Sequence, residues 1–425
     1  MSESVPVLSP RRRLLVFAIC CASVIVVVMD ISVVNVALPS IHRDLRASVS
    51  GLQWTVDAYT LVLAGFLVAA GSAADRFGRR RVFQAGLVAF GIGSLLCGLA
   101  PSIGWHSVFW VNVPIVAAAI VCTALYVPES RTPRVRRFDP IGQILVILVL
   151  GGIVLAITES RGSGWTSPFV LGLLAVSFLG GPVLLRYESR RVDPLLELRL
   201  FRSVPFGSAI LMALFALCGF SAFLFMTTQY LQNVRGMSAL AAGLCLLPVG
   251  ALVVVVSPFT GRLVGERGPR MPLVVAGCAL ALGGGASLRL TPDTPLPAVL
   301  AVYLLFGVFL STVNPPITNT AVSGMPRSMA GVATSLASAG RQTGTTLGVA
   351  VSGTIAGPAL TDGGAAFVGA EHGVWWMVLG LGVGIAALGL FSTGHRALGT
   401  AGRAAALFEE VDRGTGLRTT PAGRR

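Results

Sequence analysis

The 425 residues include no lysine and few charges of any kind. Charged side chains make up 12% of the chain, against a hydrophobic share of 54%. Soluble domains carry about 25% charged residues, so a water-facing surface of ordinary composition is excluded. Without lysine there can be no phosphate-cradling Gly-x-x-x-x-Gly-Lys loop. Histidine is scarce too: His42, His106, His372 and His395 are scattered and lack metal-ligand spacing. The seven cysteines (Cys20, Cys21, Cys97, Cys122, Cys218, Cys245 and Cys278) all fall inside apolar runs. They read as small buried apolar residues, with no disulfide and no metal implied. No His/Asp or Ser cluster marks a membrane enzyme, and no cofactor is expected.

What the chain has instead is apolar length. A membrane span needs about 20 mostly apolar residues to cross about 30 Å of hydrocarbon. Twelve stretches meet that need: 14–38, 54–73, 82–100, 107–127, 140–158, 168–186, 205–226, 241–262, 271–290, 297–318, 330–356 and 374–392. The first runs too long for the 7–15-residue core of a signal peptide, so it is expected to remain as a span. The fold class expected is an all-α polytopic membrane protein.

All 32 basic residues are arginine, and the net charge is +14. They cluster between apolar runs, which reads as membrane topology and gives no basic face for nucleic acid. With the N-terminus in the cytoplasm, 26 arginines fall in inside segments and 5 in outside loops: Arg43, Arg46, Arg161, Arg235 and Arg289. One, Arg341, lies inside a span. The bias alternates loop by loop, which predicts a multi-pass protein with both termini cytoplasmic. The polar tail from about Arg396 is expected to be disordered.

A repeat is visible. Gly71-Ser72-Ala73-Ala74-Asp75-Arg76-Phe77-Gly78-Arg79-Arg80 follows the second span, and Gly261-Arg262-Leu263-Val264-Gly265-Glu266-Arg267-Gly268-Pro269-Arg270 follows the eighth. They share the first Gly, the Gly seven on and the Arg nine on. Two related halves suit a transporter whose halves rock about a central site.

At these residues the chain resembles the major facilitator superfamily, and within it the fourteen-span drug:proton antiporter branch. The resemblance rests on that first loop and on Met29-Asp30-Ile31-Ser32-Val33-Val34-Asn35-Val36-Ala37-Leu38-Pro39 in the first span. It extends to Val111-Asn112-Val113-Pro114, Pro194-Leu195-Leu196-Glu197-Leu198-Arg199-Leu200-Phe201 and Gly340-Arg341-Gln342-Thr343-Gly344. It implies a helical bundle with two pseudo-repeated halves and proton-coupled efflux of lipophilic or cationic small molecules. The setting it implies is a monomer in the plasma membrane, with no nucleic-acid partner. The chain departs from the family at one place. Ala100-Pro101-Ser102-Ile103-Gly104-Trp105 resembles the end of family span three and runs straight into Gly104-Trp105-His106-Ser107-Val108-Phe109-Trp110, which resembles the start of family span six. Family spans four and five, including the antiporter motif, are expected to be missing, which leaves the N-terminal half incomplete. An altered or lost activity is the rival expectation.

The expected organisation is 1–13 cytoplasmic, 14–127 an N-terminal bundle of four spans, 128–203 a central region with two spans, 204–392 a six-span bundle and 393–425 the tail.

Several residues are expected to carry function. Asp30, in the first span, is an intramembrane acid costly to insert and suited to reversible protonation; Asn35 lies beyond it on the same span. Asp57 belongs either to the pathway or to the outer surface. Arg341 is either a fixed positive charge that tunes an acid or an interhelical bond, on a Gly340, Gly344, Gly348 face made for close packing. Gly71, Asp75, Arg76, Gly78, Arg79 and Arg80 are expected to form a gating loop. Asn314, with Pro315, Pro316 and Asn319, is expected to interrupt the tenth span and mark a substrate path. Phe220, Phe223, Phe225, Met226 and Tyr230 read as packing.

Overall fold

In a computed structural model of the chain, the structure describes residues 77–99, 107–129, 139–191, 194, 197–323, 330–356 and 364–414, with scattered positions before residue 77. Every regular element among them is helical: α1 (Arg79–Gly98), α2 (Ser107–Tyr126), α3 (Pro140–Ser163), α4 (Pro168–Arg190), α5 (Val204–Gln229), α6 (Ala239–Arg267), α7 (Arg270–Ser287), α8 (Leu296–Val322), α9 (Ala330–Ala356), α10 (Gly364–Ser392) and α11 (His395–Gly414). Eight helices among the described residues are long and apolar enough to cross a membrane. α2 (20 residues) and α9 occupy two further expected span positions; α9 falls short of that measure because it is rich in Gly, Ser and Thr.

Local chemistry sets several helix starts. Asp139 caps α3, accepting from Gly142 N–H at 3.0 Å, with Pro140 in the first turn. Ser203 and Ser238 cap α5 and α6 in the same way, accepting from Phe206 N–H at 3.4 Å and Ala241 N–H at 3.2 Å. Each cap satisfies one N–H that the first turn would leave unpaired. Asp139 Oδ1 also accepts from the Tyr187 hydroxyl at 2.8 Å and from Arg191 Nη2 at 3.2 Å, tying the start of α3 to the end of α4. Burial acts to raise the pKa of Asp139. The bonds from Gly142, Arg191 and Tyr187 outweigh it and hold the carboxyl below its usual value.

The described helices fall into two compact units, α1 and α2 in one and α3 to α11 in the other. In the first, α1 and α2 pack through Leu87, Val116 and Ala119. Trp110 donates its indole N–H to the Gly98 carbonyl at 3.1 Å, closing the far end of the pair. Residues 100–106, where the family hairpin is expected to be missing, lie outside the described residues.

In the second unit α5 is the central helix. Of its apolar window 61% is buried, against 17% for α4 and α6. α9 packs along it with backbone nearly touching backbone, and α10 packs against α7. The Phe223 ring stacks on Phe306 at 4.0 Å and meets Tyr303 edge-on at 5.2 Å. Phe223, Phe225 and Met226 are fully buried, so these side chains are core packing. α3 and α4, from the expected central region of the chain, lie in this same unit, where Thr354 of α9 donates to the Ile157 carbonyl of α3 at 3.0 Å.

Two expectations are corrected. Pro315 and Pro316 do not interrupt the tenth span; α8 runs unbroken from Leu296 to Val322. Pro315 removes the N–H that would bond the Ser311 carbonyl. Ser257 of α6 donates its hydroxyl to that carbonyl at 3.4 Å, which offsets the loss. Nor is the tail disordered throughout: His395–Gly414 forms α11, which packs against α5, and Thr400 Oγ1 accepts from Val204 N–H at 2.9 Å.

Candidate functional site

Gly78, within the expected gating loop, has φ 106° and ψ 133°, a backbone shape essentially restricted to glycine. The helix α1 begins at the next residue. Glu129, just past α2, sets its carboxylate against this start, accepting from Arg80 N–H at 3.1 Å. A carboxylate is favoured there by the unpaired N–H groups and the positive end of the helix dipole. Arg80 Nη2 donates to the Ala124 carbonyl at 2.7 Å, and Arg81 Nε lies 3.8 Å from Glu129. A Cβ on Gly78 would stand 2.5–2.9 Å from the Glu129 carboxylate. The described part of the loop is therefore built around Glu129, which the sequence reading did not single out. A lone Glu after a Pro in a charged linker gives no local sign of its partner.

The second copy of the repeat shares the positive φ but not the carboxylate. Gly268 has φ 80°, and α7 begins two residues later at Arg270. Both glycines stand just before a helix start, at a φ where a side chain would be strained.

Arg341 of α9 is half-buried. Its Nη2 donates to Ser338 Oγ at 2.6 Å, within its own helix, while Nη1 is buried without a hydrogen-bond partner. Among the described residues no carboxylate pairs with it. The glycine face beside it closes on α5. A Cβ on Gly340 would lie 3.2 Å from the Ile210 carbonyl oxygen, and one on Gly344 would stand within the space of the Leu214 carbonyl. One on Gly348 would meet Ser221 Oγ and the Cys218 carbonyl. Ser221 Oγ donates to the Thr345 carbonyl at 2.9 Å across this seam. Asn314 is half-buried on α8, just before Pro315. Asp30, Asn35, Asp57, Gly71, Asp75 and Arg76 lie outside the described residues.

Glu371 was also missed. The last span was expected to start at 374, but α10 begins at Gly364 and carries Glu371 into the protein. It is 1% exposed, and neither carboxylate oxygen has a hydrogen-bond partner. Its spacing of four from Trp375, one face of a helix, was the available signal.

The sequence model of the Major Facilitator Superfamily matches residues 20–349. The chain belongs to this superfamily. It is thus a multi-pass membrane transporter by family. Multidrug resistance protein Stp of Mycobacterium tuberculosis (strain ATCC 25618 / H37Rv) is 32% identical over 410 aligned positions, covering 81% of this chain and 76% of that protein. The Tetracenomycin C resistance and export protein of Streptomyces glaucescens is 29% identical over 396 positions, covering 78% and 74%. Puromycin resistance protein pur8 of Streptomyces alboniger is 31% identical over 421 positions, covering 83% and 82%. A solved bacterial homolog of the human lysosomal transporter Spinster, inward-facing and unoccupied, is similar at TM-score 0.48 and 18% identity, over 98% of this chain and 100% of that one.

The alignments share one feature. Since 81% of 425 residues is about 344, about 66 of the 410 positions matched to Stp stand opposite no residue of this chain. For the other two relatives the corresponding figures are about 65 and about 68.

Proposed function

We propose that this chain is a proton-driven exporter of amphipathic or cationic small molecules. It works as a monomer in the plasma membrane with both termini in the cytoplasm. The observation that carries this reading is the agreement among relatives near 30% identity over about four-fifths of the chain, each named for resistance to or export of a drug. Asp30 is the residue assigned to exchange proton for substrate, since an acid within a span suits reversible protonation. Asn35, Asp57, Arg341 and Asn314 belong to the pathway. Gly71, Asp75, Arg76, Gly78, Arg79 and Arg80 form the gating loop, anchored through Glu129. The driving force is about 2.3 kcal/mol per charge per 100 mV. In proteoliposomes with an imposed pH gradient, the chain is expected to move a lipophilic cationic dye against its concentration, and Asp30→Asn to abolish this. Gradient-driven dye movement that persists in Asp30→Asn would falsify the assignment.

A second reading has its own support. The roughly 66 positions that face no residue here match the length of two spans with their loops, at about 20 residues each. This favours the absence of one hairpin, with twelve spans in all and an N-terminal half two helices short. Such a chain inserts and folds but transports weakly or not at all. Grafting the two-span segment of a relative between Ile103 and His106 is the test. Dye transport gained only in the grafted chain supports this reading; equal transport by both rejects it.

A further inference from the structure

Glu371 stands out among the buried groups that the proposed transport cycle leaves unused. Both of its oxygens are buried and unpartnered, and among the described residues no cation pairs with it. An ionised carboxylate so placed would carry a large desolvation penalty with nothing to offset it, whereas the neutral acid would not.

The surroundings are polar but uncharged. Trp375, one turn on, sets its indole N–H beside the carboxyl without reaching hydrogen-bond geometry. The Tyr303 hydroxyl of α8 lies within electrostatic reach of Glu371, Tyr230 and Cys245, close to Thr227 of α5. The Tyr303 hydroxyl, the Thr227 hydroxyl and the Trp375 N–H are themselves buried and unpartnered. Tyr230 begins a π-helical turn, Tyr230–Val234, that continues α5; such turns re-aim side chains and are frequent at functional sites. The nearest arginine on that segment, Arg235, is engaged elsewhere, donating to the Thr294 carbonyl and to the Tyr230 hydroxyl. Of the other elements packed on α10, α9 brings Arg341, bonded to Ser338. α7 brings Arg270 and Cys278, both exposed, and α11 brings Arg396 and Arg403, also exposed. On α10 itself His372 is exposed.

We infer that Glu371 is a proton-binding site of the C-terminal unit. It is held as the neutral acid in the conformation seen and releases its proton to water when the α5–α8–α10 contact opens. The carboxylic acid and a water then become the carboxylate and a hydronium ion, with no other group changed. The unpartnered Tyr303, Thr227 and Trp375 donors are placed to solvate the carboxylate once the contact loosens. The role in coupling rests on the transporter reading above; proton binding itself does not.

The test uses the purified full-length chain in lipid nanodiscs. Infrared difference spectra recorded through a pH titration are expected to show a protonated-carboxyl stretch that disappears on alkalinisation, is absent in Glu371→Gln and is retained in Asp30→Asn. Trp375→Phe keeps the carboxyl and removes the neighbouring N–H, and is expected to move the midpoint of the titration. A band unchanged in Glu371→Gln, or a midpoint unmoved in Trp375→Phe, overturns the site. Dye transport in proteoliposomes separates the two proposals. An inactive wild-type chain that still shows the Glu371 band removes the transporter reading and leaves the proton site standing. An active chain whose transport keeps its pH profile in Glu371→Gln removes the coupling role.

Discussion

The Gly344 Cα of α9 lies so close to the Leu214 carbonyl of α5 that any side chain there would enter the space of that oxygen. Backbone cannot yield as a flexible side chain does, so Gly344→Ala must push the two helices apart. Overpacking of this kind costs about 1–3 kcal/mol. Gly344→Ala and Gly348→Ala are expected to lower the thermal midpoint of the detergent-purified protein, while Gly331→Ala on the same helix, with open space around it, leaves the midpoint unchanged or raises it. Equal midpoints for Gly344→Ala and Gly331→Ala would refute the close seam.

The glycine seam was legible in the sequence because a spacing of four puts small residues on one helix face whatever lies opposite. The partner helix was not legible. Nothing in α5 marks Leu214 and Cys218 as the backbone that α9 would approach.

Ser257 and Pro315 form a pair that can be tested by a cycle. Ser257→Ala leaves the Ser311 carbonyl without its replacement donor and is expected to cost about 0.5–1.5 kcal/mol. Pro315→Ala restores an N–H to the helix, so in that background Ser257→Ala should cost less. Additive effects in denaturation of the four proteins would count against the relationship.

Asp139 predicts an acid limit. Its folded pKa is lowered below the ordinary 3.8. The stability it adds is therefore complete above that ordinary value and is lost as pH falls through the lowered one. Asp139→Asn keeps a side-chain oxygen able to cap α3 but loses the charge paired with Arg191. It should show a weaker acid-side loss of thermal stability than the wild type, and a drop of about 0.2–1 kcal/mol at neutral pH. An identical acid profile in the two proteins would exclude the role.

Gly78→Ala faces both a backbone shape reserved for glycine and the Glu129 carboxylate. Glu129→Ala relieves the contact but not the backbone strain. Gly78→Ala alone is expected to lower the yield of folded protein, and the double variant to recover it only in part. Size-exclusion profiles of the fluorescently tagged chains measure this; full recovery would mean that the carboxylate contact, not the φ angle, sets the requirement.

The sequence by itself determined the membrane class, the helical content, the repeat of Gly78 and Gly268 and the packing role of Phe223 and Met226. Hydropathy, small-residue spacing and turn glycines are local properties, written in consecutive residues. Only the tertiary structure decided which carboxylates matter among the described residues. Glu129 and Glu371 each stand in a short polar stretch beside an apolar run, and nothing local sets them apart from other acids of the chain. One sits at the start of a helix fifty residues earlier in the chain, and the other is buried beside α5 and α8. Whether an acid is solvated, paired or orphaned depends on which helices meet around it, and that is settled by packing between segments far apart in the chain.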